Sequence, residues 1–237
     1  MRKYFLIFLS LLLSFSLAEA KDFDKELVEA DKLFEQKKFT EAFKRYETLL
    51  TSESYSPQML LKMAFIKEGL ADYASALYFL NLYYRYNSDS DVLQKMVEIS
   101  DKYELKGYDY SDLDYFIALY NQLKWIVCTL VVLLSVYFLS SAFKSKEKRV
   151  AQNWLFAQVV LLALFVGIHN FAVLEPTGII RSSQVYAMRA PSAAASVHSV
   201  LGKGHRIRIL EEKDIWYKVL WEGEISYVRK HHLLVVR

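Results

Sequence analysis

The chain has 237 residues, of which 54% are hydrophobic and 24% charged, and its formal net charge is +3. Its single cysteine, Cys128, excludes an intramolecular disulfide and any zinc or iron–sulfur site built from several cysteines. Seven glycines and three prolines are few for this length, which favours long helices over loop-rich structure. High hydrophobicity combined with many charged residues predicts polar domains joined to membrane spans.

The first twenty residues have the three parts of an export signal. The chain starts MRK, continues with the apolar stretch YFLIFLSLLLSFSL, and reaches the small-x-small cleavage pattern AEA at residues 18–20. We predict that residues 1–20 are a cleaved signal peptide and that the mature chain is exported. A retained N-terminal membrane anchor is the alternative.

Two segments that lie 34 residues apart repeat one pattern. KKFTEAFKRYETLL, residues 37–50, and ADYASALYFLNLYY, residues 71–84, both place an aromatic residue three positions before an alanine. A fixed period with helical spacing is typical of a solenoid of helix–turn–helix units, each burying its apolar face against a neighbour. We therefore predict helical repeats over residues 21–110. A generic helical bundle with a coincidental period is the alternative.

This pattern resembles tetratricopeptide repeats, although Glu26 and Leu60 stand where that family has a tryptophan. The matching positions are Ala30, Phe39, Ala42 and Tyr46 in the first unit, and Ala64, Tyr73, Ala76 and Leu80 in the second. The resemblance implies a concave groove that binds peptide segments or partner proteins and is lined by Leu27, Asp31, Phe34, Leu61, Phe65 and Glu68.

That groove lacks the basic residues and asparagine with which some family members bind a C-terminal carboxylate, so an apolar or mixed ligand is expected. Plain packing between repeats is the alternative role for its residues. A third unit begins near Asp91 but has Tyr110 where a small residue is expected. We predict a single capping helix there, followed by a helix that starts at Ser111 and runs over residues 111–124 towards the membrane.

Two apolar stretches, residues 125–143 and 154–173, contain no charged residue apart from a chargeable His169. Each is close to the ~20 residues that cross a bilayer as a helix. The segment between them, residues 144–153, holds four basic residues and one acidic residue. The positive-inside rule therefore places this loop in the cytoplasm and both flanking domains outside. A buried helical hairpin of a soluble core is the alternative.

The remainder, residues 179–237, changes to short runs rich in strand-forming residues. In HRIRIL, Ile207 and Ile209 alternate with arginines, which indicates one buried and one solvated face. We predict a small all-β barrel. Residues 177–237 carry ten basic and five acidic side chains, a balance of +5, whereas residues 21–123 have 13 and 19, a balance of −6.

This region resembles the bacterial SH3-like (SH3b) family in the segments MRAPS, VLGKGHRIRIL, IWYKV and ISYV. Ser226 departs from the glycine that the family usually has before the last aromatic residue. The resemblance implies a ligand face formed by Trp216, Tyr217 and Tyr227. Some relatives bind cell-wall peptide and others pack against partners, so the fold alone does not decide the ligand.

We find no catalytic set of residues, and predict no enzyme activity, metal or cofactor. His231 and His232 are neighbours in a predicted strand and are expected to point to opposite faces, which is poor geometry for binding one metal. His169 is the polar outlier of the second span. It is either a functional residue within the membrane or a side chain that reaches the headgroups.

The order of signal peptide, repeats, two spans and SH3-like domain resembles the BatE-type proteins of bacterial aerotolerance (Bat) operons. The expected fold is a multi-domain membrane protein with an α-helical solenoid, a transmembrane hairpin and an all-β barrel. The resemblance implies an inner-membrane adaptor in the periplasm of a Gram-negative bacterium. Its expected partners are von Willebrand factor A membrane proteins and a MoxR-type ATPase, in an envelope-stress complex. A peptidoglycan-binding protein and a transmembrane signalling protein are the alternatives, and nucleic acid is not expected.

Overall fold

The computed structural model describes residues 23–51, 55–172 and 175–236, so the predicted signal peptide lies outside the described residues. The chain divides into two compact units, Met1–Tyr83 and Tyr84–Arg237. The described part of the first unit is helical. The second unit contains the two long apolar helices and an antiparallel sheet of seven strands.

Four helices begin in the described part of the first unit, and they recur with the period seen in the sequence. They are α1 (residues 23–35), α2 (Phe39–Thr51), α3 (Pro57–Gly69) and α4 (Tyr73–Tyr86). The turns after α1 and α3 have the same conformation, because Lys37 and Ala71 both have positive φ angles, of 59° and 57°. In each turn this residue donates its N–H to the carbonyl three residues earlier. The 34-residue period is therefore structural.

Small residues occupy four buried positions of these helices. Ala30, Ala42 and Ala76 are fully buried, and Ala64 is 3% exposed. An alanine at each of these sites lets two helix backbones approach closely, whereas a larger side chain would hold them apart. The aromatic and aliphatic positions of the repeat, Tyr46 and Leu80, complete the buried core.

The second unit begins with the end of α4 and then with helix α5 (Ser90–Lys102), which is capped by Asp89. The turn after α5 repeats the earlier geometry, with a positive φ of 52° at Glu104. No second helix follows directly. Residues 105–110 run without helix or strand, and we call this segment the strap. The helix start predicted at Ser111 is confirmed, since its side chain and that of Asp114 form a capping box.

Helices α6 (Asp112–Lys144) and α7 (Lys148–Phe171) form an antiparallel hairpin. Their 33 and 24 residues correspond to lengths of roughly 50 Å and 36 Å. Both are apolar, with mean hydropathies of 2.3 and 1.8 over their most apolar stretches, yet only 6% of each stretch is buried. The core helices of a soluble protein would be covered by protein. Exposed apolar helices of this length are suited to a bilayer.

Polar and aromatic contacts join the two helices of the hairpin along its length. Tyr137 packs edge-on against Trp154 with ring centroids 5.8 Å apart, and Gln158 donates a 3.0 Å hydrogen bond to the hydroxyl of Ser135. The connection outside helix is short, covering only residues 145–147. The basic side chains predicted to lie in a ten-residue loop therefore mostly belong to the adjoining helix ends.

The sheet has the strand order β3-β2-β6-β5-β4-β1-β7, and all neighbours pair antiparallel. Its strands are β1 (Thr177–Ile180), β2 (Val185–Met188), β3 (Val197–Leu201), β4 (Arg206–Lys213), β5 (Trp216–Trp221), β6 (Glu224–Arg229) and β7 (Leu233–Val236). A 3₁₀ turn, Lys230–His232, precedes β7. The predicted barrel is not closed, because β3 and β7 remain as edges in the described chain. The sheet is weakest between β2 and β6, which share the single pair Met188 and Tyr227.

The alternation predicted for β4 is confirmed. Ile207 and Ile209 are 2% and 5% exposed, while Arg208 between them is exposed. These isoleucines join an apolar cluster to which every strand of the sheet contributes, with Val185, Val219 and Val228 among its buried members. One face of the sheet therefore forms the core.

Candidate functional site

An aromatic cluster lies in the first compact unit, Met1–Tyr83, where the sequence predicted a groove. We call this compact unit the repeat unit. The rings of Phe34, Phe39 and Phe65 meet edge to face, with centroids 5.4–5.8 Å apart. Phe65 is 58% exposed although it belongs to this cluster. Lys62 places its Nζ 5.4 Å from the centre of the Phe34 ring. The structure thus brings two of the predicted groove residues, Phe34 and Phe65, into one surface patch.

Asp31, another predicted groove residue, is held by internal contacts. The hydroxyl of Tyr46 donates a 2.6 Å hydrogen bond to its Oδ1, and Lys62 Nζ lies 2.9 Å from the same oxygen. Burial, and then the bond to Asp31, raise the pKa of Tyr46. Asp31 therefore links α1 to α2 and α3. Of the remaining predicted positions, Leu27 and Leu61 are half-buried and Glu68 is exposed.

The strap is seated on the β sheet by backbone hydrogen bonds that sequence reasoning missed. Arg206 N–H donates to the carbonyl of Lys106 at 3.0 Å, and Lys106 N–H donates to Nδ1 of His205 at 3.0 Å. Tyr108, which is 4% exposed, donates its hydroxyl proton to the carbonyl of Gly204 at 2.9 Å. The strap therefore packs against residues 204–206, where the chain turns into β4.

Charged side chains reinforce the strap on both flanks. Lys106 pairs with Glu222, which lowers the pKa of that carboxyl. On the other flank, the guanidinium of Arg206 lies 4.8 Å from the centre of the Tyr110 ring. Burial, and then the positive charge of Lys106, lower the pKa of His205. The imidazole is thereby kept neutral, which lets its Nδ1 accept the Lys106 N–H.

A cavity of about 350 Å³ opens in the sheet beside the β2–β3 loop. Its floor includes Trp216, one of the three predicted ligand-face residues, which is 6% exposed. Tyr217 is instead part of the apolar core, because successive residues of a strand point to opposite faces. Tyr227 is half-buried on β6, outside the lining of this cavity. Of the three, the structure thus places only Trp216 at a concave surface.

The rim of this cavity carries aromatic, aliphatic and basic side chains. Tyr186, Met188, Val197, Arg229 and His232 contribute to it, together with two alanines of the β2–β3 loop. The guanidinium of Arg229 lies 5.3 Å from the centre of the Trp216 ring. Sequence reasoning missed Arg229, although its place directly opposite Trp216 follows from the pairing of β5 with β6. We call this cavity the tryptophan groove.

The prediction that His231 and His232 point to opposite faces of a strand is wrong. They lie in the 3₁₀ turn before β7, and their ring centroids are 3.9 Å apart. Burial, the neighbouring His231 and Arg229 all lower the pKa of His232, in that order of size. Among the described residues, no group of three or more histidine, cysteine or acidic side chains could hold a metal ion.

His169 has a specific partner within the hairpin. Its Nδ1 lies 3.1 Å from the hydroxyl of Tyr120, and its ring stacks on Phe165. Close by, Asn121 donates a 2.8 Å hydrogen bond to the carbonyl of Ala172. These contacts fasten the start of α6 to the end of α7. A scan of protein-family models and a search of curated proteins both return no match for this chain.

Proposed function

We propose that this protein is a non-enzymatic membrane adaptor that presents its repeat unit and its β sheet on one side of the bilayer. The observation that carries this proposal is the fastening of α6 to α7 by Tyr120, Asn121 and His169. Because those contacts join the start of one helix to the end of the other, the segments before and after the hairpin leave it at the same end.

The charge at the opposite end of the hairpin supports a cytoplasmic location for the short connection. Lys144, Lys146, Lys148 and Arg149 cluster there against one acidic residue, Glu147. Basic residues beside spans favour the cytoplasmic side. Residues 21–110 and 179–237 would then face the periplasm of a Gram-negative bacterium, on the inner membrane.

The repeat unit is proposed to be the main site for partner proteins. Its 34-residue period and buried alanines support a tetratricopeptide-type solenoid, and such solenoids use extended surfaces for binding. The exposed Phe65 gives that surface an apolar centre. The partners proposed are von Willebrand factor A membrane proteins and a MoxR-type ATPase, in a Bat-type complex for aerotolerance or envelope stress.

A second candidate is a peptidoglycan-binding protein, and the tryptophan groove favours it. A concave surface with an aromatic floor is the form that many ligand sites take. In that case the SH3-like domain would retain the protein on the cell wall through Trp216. A transmembrane signalling protein has less support, because a connection of three residues outside helix leaves no room for an output domain.

The two candidates are separated by mild crosslinking of a tagged full-length protein in native membranes, followed by purification and mass spectrometry. The adaptor proposal predicts recovery of von Willebrand-type membrane proteins or the ATPase. Phe65→Glu is expected to reduce that recovery by roughly tenfold, since a charge in the aromatic cluster would have to be desolvated on binding. Leu70→Glu is the matched control, because Leu70 has a similar exposure, 64% against 58% for Phe65, but lies outside the cluster.

Recovery of wall fragments alone, lost in Trp216→Ala and unchanged in Phe65→Glu, would contradict the adaptor proposal. That result would make the protein a wall-binding module. Partner recovery that is equal in Phe65→Glu and Leu70→Glu would show that the aromatic cluster is only packing between repeats.

A further inference from the structure

The tryptophan groove contains Arg229, a basic residue that forms no ion pair with the described residues. Two other arginines of this region have acidic partners, since Arg208 lies 2.6 Å from Glu175 and Arg189 lies 4.0 Å from Glu224. Arg229 instead rests over the Trp216 ring at 5.3 Å. Within the part of the chain that the structure describes, no carboxylate lies at ion-pair distance from it.

The sheet and a contact with Trp216 place Arg229 at the groove. Its backbone pairs with Trp216 in the β5–β6 ladder, and its guanidinium is held against an indole ring that is 6% exposed. A guanidinium that rests against an aromatic ring can still donate its N–H groups to a ligand. Those donors match the two oxygens of a carboxylate, which an arginine binds with two parallel hydrogen bonds.

The charges around the groove also favour an anionic ligand. Among the described residues, its lining contains no acidic side chain. Residues 177–237 have ten basic against five acidic side chains, a balance of +5. His232, the other chargeable residue of the lining, has a lowered pKa, so Arg229 supplies the fixed positive charge at neutral pH. A negative group in this groove would therefore meet attraction and no repulsion from its walls.

The rest of the lining is suited to an apolar side chain next to that negative group. Tyr186 and Val197 are 56% and 47% exposed, and the buried Met188 also belongs to the lining. The volume of about 350 Å³ is near the lower end of the ~300–1,000 Å³ that is usual for ligand pockets. The groove therefore holds only a short part of a larger ligand.

We propose that the tryptophan groove binds an extended segment of a partner protein, in which a carboxylate lies beside an apolar side chain. Arg229 binds the carboxylate, while Trp216 and Tyr186 contact the apolar side chain. Extended segments docked on aromatic-lined grooves are a recurring mode of peptide recognition. The choice of a protein segment as occupant rests on the proposed adaptor function, and the assignment of a carboxylate rests on Arg229.

The test uses the full-length protein in detergent micelles and fluorescence anisotropy of labelled pentapeptides. One pool has glutamate at the centre, flanked by mixed alanine, valine, leucine, phenylalanine and tyrosine, and a matched pool has glutamine instead. We expect the glutamate pool to bind roughly tenfold more tightly. Arg229→Gln is expected to remove this preference. Arg208→Gln, which loses an arginine outside the groove, is expected to keep it.

A second variant keeps the test informative if Arg229→Gln does not fold. Tyr186 is largely exposed, so Tyr186→Ala should leave the sheet intact and weaken both pools by a similar factor. A third ligand separates the sources of the carboxylate. The wall peptide L-alanyl-γ-D-glutamyl-diaminopimelate is expected to bind more weakly than the glutamate pool.

Three results would overturn the assignment. They are equal affinity for the two pools, no binding of the glutamate pool at about 1 mM, and tighter binding of the wall peptide. The first two would leave the adaptor proposal standing if crosslinked partners still disappeared in Phe65→Glu. The failure of this assignment and the failure of the proposed function are therefore distinguishable.

Discussion

Replacing Gly107 by alanine is expected to release the strap from the β sheet. Gly107 has a φ of +89°, and a Cβ placed on it would lie 2.0 Å from the carbonyl oxygen of Arg206. That oxygen belongs to the backbone of β4, which is paired in the sheet and cannot rotate away as a flexible side chain would. Left-handed backbone costs a non-glycine residue roughly 1–2 kcal/mol even without a clash.

Release of the strap also breaks the hydrogen bonds that hold it, which adds to this cost. These are the two bonds of the Lys106 backbone and the buried bond from Tyr108 to Gly204. We expect Gly107→Ala to destabilise the second unit by about 2–4 kcal/mol, which is large for a single substitution. Limited proteolysis within residues 103–110 and thermal unfolding in micelles measure the effect.

Gly69→Ala is the matched control for this substitution. Gly69 ends α3, its φ is not positive, and an added Cβ would meet nothing within 4 Å. Alanine in a helix is favoured over glycine, so this variant should be as stable as the parent or slightly more so. If Gly107→Ala has the proteolytic pattern and unfolding temperature of Gly69→Ala, the strap is not seated as described.

Enlarging a buried alanine of the repeat unit is expected to have the second largest effect. Ala76 is fully buried in the helical core, where a larger side chain has no room, so Ala76→Leu should destabilise this unit by about 1–3 kcal/mol. Ala42, 34 residues earlier and also fully buried, should respond in the same way. Glu47→Leu, at an exposed site on α2, is the control and should stay within ~0.5 kcal/mol.

Chemical unfolding followed by far-ultraviolet circular dichroism measures this series. Similar decreases in stability for Ala42→Leu and Ala76→Leu, with none for Glu47→Leu, are the expected result. A large decrease at one alanine and none at the other would contradict the equivalence of the two repeats. The 34-residue period would then be a coincidence, and the unit would be a generic helical bundle.

Local patterns explain the parts of the fold that the sequence predicted well. The positions of Phe39 and Tyr73 mark the starts of α2 and α4, because an amphipathic pattern after a turn fixes where a helix begins. The long uncharged stretches predict α6 and α7 because a continuous apolar run of that length has few other stable environments. The alternation at Ile207 and Ile209 predicts β4 in the same local way.

Interactions between distant residues explain what the sequence did not predict. Lys106 and His205 are separated by 99 positions, and nothing in the local pattern around either residue indicates that they meet. The open edges at β3 and β7 likewise depend on which strands pair across the sheet, and short strand patterns do not encode that order. The burial of Tyr217 could have been predicted from the sequence. Neighbouring residues of a strand point to opposite faces, so Tyr217 and Trp216 could not both belong to one ligand face.

The most direct test of the adaptor account is the sidedness of the two units and the connection between the spans. Single cysteines at Lys38, Lys146 and Ser183, all exposed positions, are introduced in a Cys128→Ser background. They are then labelled with a membrane-impermeant maleimide in cells whose outer membrane alone is permeable. The account predicts labelling of Lys38→Cys and Ser183→Cys, and of Lys146→Cys only after the inner membrane is opened. Labelling of Lys146→Cys from outside, or opposite results at Lys38→Cys and Ser183→Cys, would contradict it.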